Sequence, residues 1–207
     1  IAEKNNLFKA PETYMEKIST RVKEKNVIDL DFTVKQNIFN LSDYLNKKPE
    51  NINACILDRP RHKEIIDELR KLKVNLKLIT DGDVSGALLV TEEKYNVDIF
   101  LGTGGGPEGV LAAAALDAFD CNFQGRFLFK KEVDKERAKK MGISDLSKKY
   151  ELNEIVKGDS IFCATGITSG DLVTGVEIQG NDFVSETLVT HKSSGFKKVI
   201  KLKQNLQ

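Results

Sequence analysis

The stretch at residues 97–116, VDIFLGTGGGPEGVLAAAAL, constrains the fold more than any other part of the chain. It predicts an apolar strand, a glycine-rich turn and a helix that begins near Pro107, because proline suits the first turn of a helix. Glycines let backbone N–H groups approach a ligand, and a helix N-terminus favours an anion. Glu108 would repel a phosphate there unless a cation stood between them. The stretch therefore predicts a phosphorylated ligand together with a divalent metal ion.

Strand-like and helix-like patterns alternate around this stretch. Strands are expected at residues 54–57, 76–80, 97–101 and 123–129, and helices at residues 62–72, 84–91 and 107–119. Alternation at this spacing predicts an α/β fold with a mostly parallel sheet. Ligands of such sheets bind beyond the carboxyl ends of the strands.

The two ends of the chain have other patterns. Residues 11–26 predict a helix with Met15, Ile18 and Val22 on one stripe, and Thr33 is positioned to cap a second helix. A charged helix near residues 133–141 precedes runs that predict antiparallel strands at 160–164, 172–178, 183–190 and 197–202. The expected organisation is a helical segment at 1–50, an α/β region at 51–130, and a C-terminal helix with antiparallel strands at 131–207.

Composition excludes some classes of function. The formal net charge of +1, from 32 basic and 31 acidic residues, argues against broad nucleic-acid binding, which needs a basic face. Neither a membrane-spanning apolar run nor a signal peptide is visible. The cysteines Cys55, Cys121 and Cys163 lie in apolar runs and are expected to be buried free thiols in a reducing cytoplasm. The first residue is Ile1 rather than methionine, so we expect a processed N-terminus or a missing upstream part.

Two polar loops follow the first two strands of the alternation. In the first, Arg59 and Arg61 flank Pro60, and guanidinium groups match phosphate oxygens. The alternative is a solvated helix start, with His62 as a surface residue. In the second, Asp81 and Asp83 flank Gly82 and are suited to a metal ion or to sugar hydroxyls; the alternative is a helix cap at Asp83. With the glycine-rich stretch, both loops would face one crevice.

A nucleotide-binding α/β domain is a further alternative, because Gly104, Gly106 and Gly109 satisfy the spacing G-x-G-x-x-G. Pro107 and Glu108 argue against it, since the acid would face a pyrophosphate. The match also follows the third strand of the alternation rather than the first. A purely structural glycine turn is possible too.

Six motifs together resemble the class II fructose-1,6-bisphosphatase family, including its bifunctional fructose/sedoheptulose bisphosphatase members. They are APETYMEKI at 10–18, DRPRH at 58–62, DGD at 81–83, GGGPEGV at 104–110, QGR at 124–126 and ATGIT at 164–168. They occur in family order over nearly the whole chain, and their joint occurrence is far more specific than any one of them.

The resemblance implies a layered sugar-phosphatase fold of the lithium-sensitive phosphatase superfamily. It implies a cytoplasmic enzyme of gluconeogenesis that uses Mn²⁺ or Mg²⁺ to hydrolyse the 1-phosphate of fructose 1,6-bisphosphate, giving fructose 6-phosphate. By position, Glu108 is implied as a metal ligand, and region 51–130 as the sugar-phosphate-binding region. The implied substrate contacts are Tyr14, Arg59, Pro60, Arg61, Asp81, Gly82, Asp83 and Gly105.

One family motif is missing from the sequence. The family's earlier half carries Asp-Pro-x-Glu-Gly-Thr and further acidic residues that hold most of the metal ions, and these 207 residues contain no such motif. The resemblance therefore implies the later part of the enzyme, with an upstream half and further copies of itself as partners, and no certain catalytic residue of its own. A non-catalytic sugar-phosphate-binding or assembly module is the alternative.

Overall fold

Two sheets and six helices organise residues 1–205, the part of the chain that the computed structural model describes. The strands are β1 (Tyr14–Thr20), β2 (Asn53–Leu57), β3 (Asn75–Ile79), β4 (Ile99–Gly105), β5 (Asn122–Leu128), β6 (Lys149–Glu151), β7 (Ile161–Thr165), β8 (Glu177–Gln179), β9 (Asp182–His191) and β10 (Phe196–Asn205). The helices are α1 (Val34–Leu45), α2 (Lys63–Lys71), α3 (Asp83–Leu88), α4 (Gly106–Asp117), α5 (Glu132–Lys140) and α6 (Leu152–Ile155).

The larger sheet is mixed and has six strands in the order β3-β2-β4-β1-β5-β6. Strand β2 pairs in parallel with both β3 and β4, so the predicted α/β alternation is confirmed for this part. The other half is antiparallel, because β1 runs against β4 and β5, and β6 against β5. The chain is therefore α/β, and its larger sheet has a parallel half (β3, β2 and β4) and an antiparallel half (β1, β5 and β6).

The helix predicted over residues 11–26 is wrong, since residues 14–20 form the central strand β1. Met15, Ile18 and Val22 recur at helical spacing, yet Met15 lies on one face of the sheet and Ile18 on the other, each in a separate apolar cluster. Pairing with two neighbours satisfies the backbone of this segment on both sides. The proposed division of the chain into three parts stays a prediction, although its first part is not helical throughout.

Helices cover both faces of the larger sheet. Helix α1 begins after Thr33, whose side chain and that of Gln36 form the expected capping box, and it packs beside α2 on one face. Helices α3 and α4 pack together on the other face. Helix α4 also contacts β7 of the second sheet, so it lies between two sheets. This position explains its alanine-rich sequence, because residues 112–117 are all buried and only small apolar side chains fit on every side.

The C-terminal part forms the second, antiparallel sheet, in the order β10-β9-β7 with β8 beside β9. The antiparallel arrangement is confirmed, but the strand expected at residues 172–178 is reduced to Glu177–Gln179. Cys55 and Cys121 are buried, and burial raises the pKa of each thiol to about 12. Cys163 is exposed, so its predicted burial is wrong. Among residues 1–205, no helix combines the length and apolarity that crossing a bilayer needs.

Candidate functional site

The two polar loops and the glycine-rich stretch lie at one edge of the larger sheet. Strands β2, β3 and β4 are parallel, so their carboxyl ends point the same way, and the loops at 58–62 and 80–83 and the start of α4 follow them. Tyr14, the first residue of β1, lies opposite Gly105, the last residue of β4. The topology thus places the candidate residues around the end of β4.

The glycines near this edge form no turn, so that expectation is wrong. Strand β4 runs through Gly105 and α4 begins at the next residue, and no glycine between residues 102 and 109 has a positive φ. A Cβ atom on Gly104 would overlap the carboxylate of Asp83, and one on Gly105 would overlap that of Glu108. At Gly104 the carboxylate of Asp83 is held in place by Lys17, so this position favours glycine, whereas at Gly105 the exposed Glu108 side chain would have to move to admit a Cβ atom.

The same arrangement bears on the nucleotide alternative. A pyrophosphate that approached the start of α4 would meet the carboxylates of Asp83 and Glu108. In addition, the N–H of Gly106 already donates to the carbonyl of Thr13 at 2.7 Å. The G-x-G-x-x-G spacing is accounted for by packing, and the site does not favour a dinucleotide.

Arg61 is held at the rim of the site. Its Nε donates to the carbonyl of Thr103 in β4 at 2.7 Å, and its guanidinium carbon lies 5.3 Å from the centre of the Tyr14 ring. Both side chains are exposed, which leaves the rest of the guanidinium open to a ligand. Within residues 1–205, the guanidinium of Arg59 forms no hydrogen bond or ion pair, although the Arg59 carbonyl accepts from the N–H of His62 at 2.9 Å.

His62 is fully buried, so the expectation of a surface histidine is wrong. Its Nε2 accepts from the N–H of Thr103 at 2.8 Å, and its Nδ1 lies 2.7 Å from the carbonyl of Leu57. These partners require a neutral ring with its proton on Nδ1. His62 thus ties β4 to the end of β2, immediately beside Arg61. Burial, followed by the nearby Arg61 charge, lowers the pKa of His62, against the opposing effects of Leu57, Thr103 and Asp83.

This lowered pKa predicts a loss of stability in acid. Below about pH 6.5 this histidine becomes protonated in the unfolded chain more readily than in the folded protein. The free energy of unfolding therefore decreases as the pH is lowered. The slope contributed by one group is at most about 1.4 kcal/mol per pH unit. Urea denaturation between about pH 7.5 and pH 5.5 should show this decline. His62→Gln should remove this part of it, whereas His191→Gln should keep it; equal slopes in all three proteins would contradict the prediction.

The carboxylate of Asp81 faces solvent, whereas that of Asp83 faces the interior of the protein. Gly82 adopts φ +87° between them, which explains the glycine. Asp81 is exposed and accepts from the N–H of Gly82 at 2.8 Å, beside a cavity of about 550 Å³ that the segment 164–173 also lines. Asp83 is the first residue of α3 and turns inward, where Lys17 pairs with it. Of the two, Asp83 alone lies against the end of β4.

Tyr14, Gly105 and Glu108 line one cleft of about 490 Å³. Lys130 and Lys131 line it too and were not identified from the sequence. Both follow the last residue of β5, which runs antiparallel to β1 and ends opposite Tyr14. Their position depends on the central placement of β1, which the sequence pattern concealed.

The structure therefore brings together Tyr14, Arg61, Asp83, Gly105 and Glu108, and leaves Arg59, Pro60 and Asp81 at the periphery. The sequence also did not identify Lys17 as part of this site. The structure shows that its side chain is 1% exposed and interacts electrostatically with Arg61 and Glu108. A lysine at an inward position of an alternating strand would have been a signal had β1 been identified.

The donor groups of this site do not make up a complete metal centre. Over residues 1–205, no group of three or more His, Cys, Asp or Glu residues is arranged to hold a metal ion. Glu108 presents one carboxylate, and Asp83 is already paired with Lys17. Mg²⁺ takes about six oxygen ligands, and waters and substrate phosphates supply several of them beside one or two carboxylates. Among residues 1–205, Glu108 is therefore a fitting single ligand at this site, without a complete set of protein ligands for Mn²⁺ or Mg²⁺.

Comparison with known proteins agrees with the resemblance seen in the motifs. The chain is 34% identical over 207 residues to the D-fructose 1,6-bisphosphatase class 2/sedoheptulose 1,7-bisphosphatase of Trichodesmium erythraeum. The aligned region covers 94% of this chain and 60% of that protein. It is 36% identical over 207 residues, with the same coverage of 94% and 60%, to the protein of that name from Synechocystis sp.. The chain thus spans about 60% of the length of the curated relatives it matches.

A family model covers almost the whole chain. The model described as "Bacterial fructose-1,6-bisphosphatase, glpX-encoded" matches residues 1–204, a range that contains every candidate residue named above. A match of this extent identifies the family independently of any single motif. The chain belongs to the bacterial, glpX-encoded fructose-1,6-bisphosphatase family.

Proposed function

We propose that this chain supplies the sugar-phosphate-binding part of a phosphatase that hydrolyses the 1-phosphate of fructose 1,6-bisphosphate to fructose 6-phosphate. Membership of the family supports this activity. The observation that carries the proposal is the convergence of Tyr14, Arg61, Asp83 and Glu108 on the end of β4. This edge of the sheet brings together a cationic group for a phosphate, a carboxylate for sugar hydroxyls and a carboxylate for a metal ion.

In this proposal each group has one task. Arg61 binds phosphate oxygens, because a guanidinium presents N–H donors in a fork that matches them. The ring of Tyr14 beneath it limits where the guanidinium can move. Asp83 accepts hydrogen bonds from sugar hydroxyls. Together these contacts orient the ester for attack, which lowers the entropic part of the barrier.

Metal dependence is a further part of the proposal. Glu108 is our candidate for one carboxylate ligand of Mn²⁺ or Mg²⁺, because the acid lies exposed beside the backbone of Gly105. In this proposal the other ligands come from an upstream half of the enzyme, as the family resemblance implies. The roles of Arg59, Pro60, Asp81 and Gly82, a homo-oligomeric state and a cytoplasmic location stay predictions.

Calorimetry of the 207-residue chain with fructose 1,6-bisphosphate, with and without Mn²⁺, tests the proposal. The chain should bind the bisphosphate saturably, and Arg61→Ala should weaken binding by about 10- to 100-fold, because a hydrogen bond to a charged group contributes about 1.5–3 kcal/mol. Arg70→Ala is the matched control, since Arg70 is exposed on α2 and pairs with Asp67. Absence of binding under both conditions, or an Arg61→Ala protein that binds like the unsubstituted one, would reject the proposal.

A further inference from the structure

Lys17 lies at the centre of the larger sheet with its side chain almost fully enclosed. It is 1% exposed and is among the largest fully buried side chains of residues 1–205. It lies in β1, and its cross-strand neighbours are Gly102 in β4 and Gly125 in β5. From above, a Cβ atom on Gly109 of α4 would come within 3.1 Å of its Cε. Gly109 thus leaves space for the Lys17 side chain beneath α4, whereas a Cβ atom on Gly125 would meet Met15 and one on Gly102 would meet His62 and Phe100.

The ammonium group of Lys17 pairs with the carboxylate of Asp83. Lys17 is the one hydrogen-bonding partner of that carboxylate within the described part of the chain. Its atom Oδ2 receives the bond, while Oδ1 is buried and has no partner there. The orientation of Asp83 over Gly104 therefore depends on Lys17 rather than on a network of several donors.

Stability alone does not account for this pair. Burial lowers the pKa of Lys17, and Asp83 opposes that effect. Apolar groups of similar volume often replace a buried ion pair with no loss of stability. A buried lysine that pairs with the first residue of α3, and that interacts electrostatically with Glu108 and Arg61, has a positional value that an apolar residue would lack.

Building on the function proposed above, we propose that Lys17 is a positioning residue for the sugar-phosphate site. It fixes the carboxylate of Asp83 against the end of β4, so that the carboxylate is preorganised for the hydroxyl groups of a phosphorylated sugar. It also adds a positive charge that interacts with both Asp83 and Glu108, which reduces their repulsion of a phosphate group. Lys17 acts through Asp83 and does not itself contact the ligand.

A double-mutant cycle measured by calorimetry with fructose 1,6-bisphosphate tests this role. Lys17→Met and Asp83→Asn should each weaken binding by about tenfold or more, and the double variant should bind within about twofold of the weaker single variant, because both changes remove one coupled unit. Binding of inorganic phosphate, which has no sugar hydroxyls, should change much less in Lys17→Met than binding of the bisphosphate. A merely structural lysine would weaken the binding of inorganic phosphate and of the bisphosphate to the same degree.

The controls separate the possible failures. Circular dichroism melting should show that Lys17→Met is folded, since methionine has a similar shape; if it is not folded, Lys17→Gln, which keeps a donor without the charge, takes its place in the cycle. Unchanged bisphosphate affinity in the lysine variant, or multiplicative effects in the double variant, would overturn the positioning role while the proposed function stands. Absence of binding by the unsubstituted chain would overturn both.

Discussion

Replacing Phe100 with alanine is expected to lower the free energy of unfolding by about 3–5 kcal/mol, because a buried phenylalanine loses its contacts and leaves a cavity. Phe100 lies in β4 and is fully buried. A Cβ atom on Gly86 of α3 would stand 3.1 Å from its ring, and one on Gly102 would stand 3.6 Å from it. The ring therefore supports α3, the helix whose first residue is Asp83.

Urea denaturation followed by circular dichroism measures this loss, with the m value as a check that the transition stays two-state. Phe39→Ala is the matched control, since Phe39 on α1 is 41% exposed, and its cost should stay below about 1 kcal/mol. Because the cavity would lie beneath α3, weaker binding of fructose 1,6-bisphosphate should accompany the loss of stability. A decrease of less than about 1 kcal/mol for Phe100→Ala would show that the surroundings collapse into the space.

Asp98→Ala should be comparably damaging, by about 3–5 kcal/mol, because it removes one partner of a buried charge pair and leaves donors unsatisfied. The carboxylate of Asp98 is 2% exposed. It accepts from the ammonium of Lys47 at 2.8 and 3.0 Å, from Arg21 at 3.2 Å, and from the backbone N–H of Asn53 at 3.0 Å. This one side chain thereby joins the segments that follow β1 and α1 to the start of β2.

Two comparisons make the Asp98 result interpretable. Asp67→Ala removes an exposed carboxylate that pairs with Lys63 and Arg70 on α2, and exposed pairs contribute at most about 1 kcal/mol. The deficit of Asp98→Ala should persist at high salt, because salt screens buried pairs weakly. If Asp98→Ala and Asp67→Ala lower the free energy of unfolding by similar amounts, the buried network of Asp98 contributes no more to stability than an exposed ion pair does.

The parallel part of the fold could be predicted from the sequence because its signals are local. Each strand from β2 to β4 is a short apolar run followed by a helix with a recognisable start, such as Pro107 at the beginning of α4. The edge position of the polar loops follows from that alternation alone, since parallel strands end on the same side. This is why the candidate residues could be named before their geometry was known.

The remainder depends on contacts between distant residues. Met15, Lys17 and Ser19 lie on one buried face of β1. Because Lys17 is charged and Ser19 is polar, this face lacks the apolar alternation by which a strand is identified in a sequence. The glycines of β4 could not be distinguished from a turn, because the reason for them is the carboxylates of Asp83 and Glu108 lying against them. His62 was placed at the surface because its partner Thr103 is remote in sequence.

The central place of β1 has a consequence for how the protein is made. Tyr14–Thr20 leaves the ribosome before both of its neighbours in the sheet, which lie at residues 99–105 and 122–128. At synthesis rates of about 5–20 residues per second, the strand waits on the order of ten seconds for them. Until both neighbours have been made, the enclosed environment of Lys17 cannot form, because β4, β5 and α4 build it. The pairing of β1 and the burial of Lys17 therefore depend on the same late-made strands.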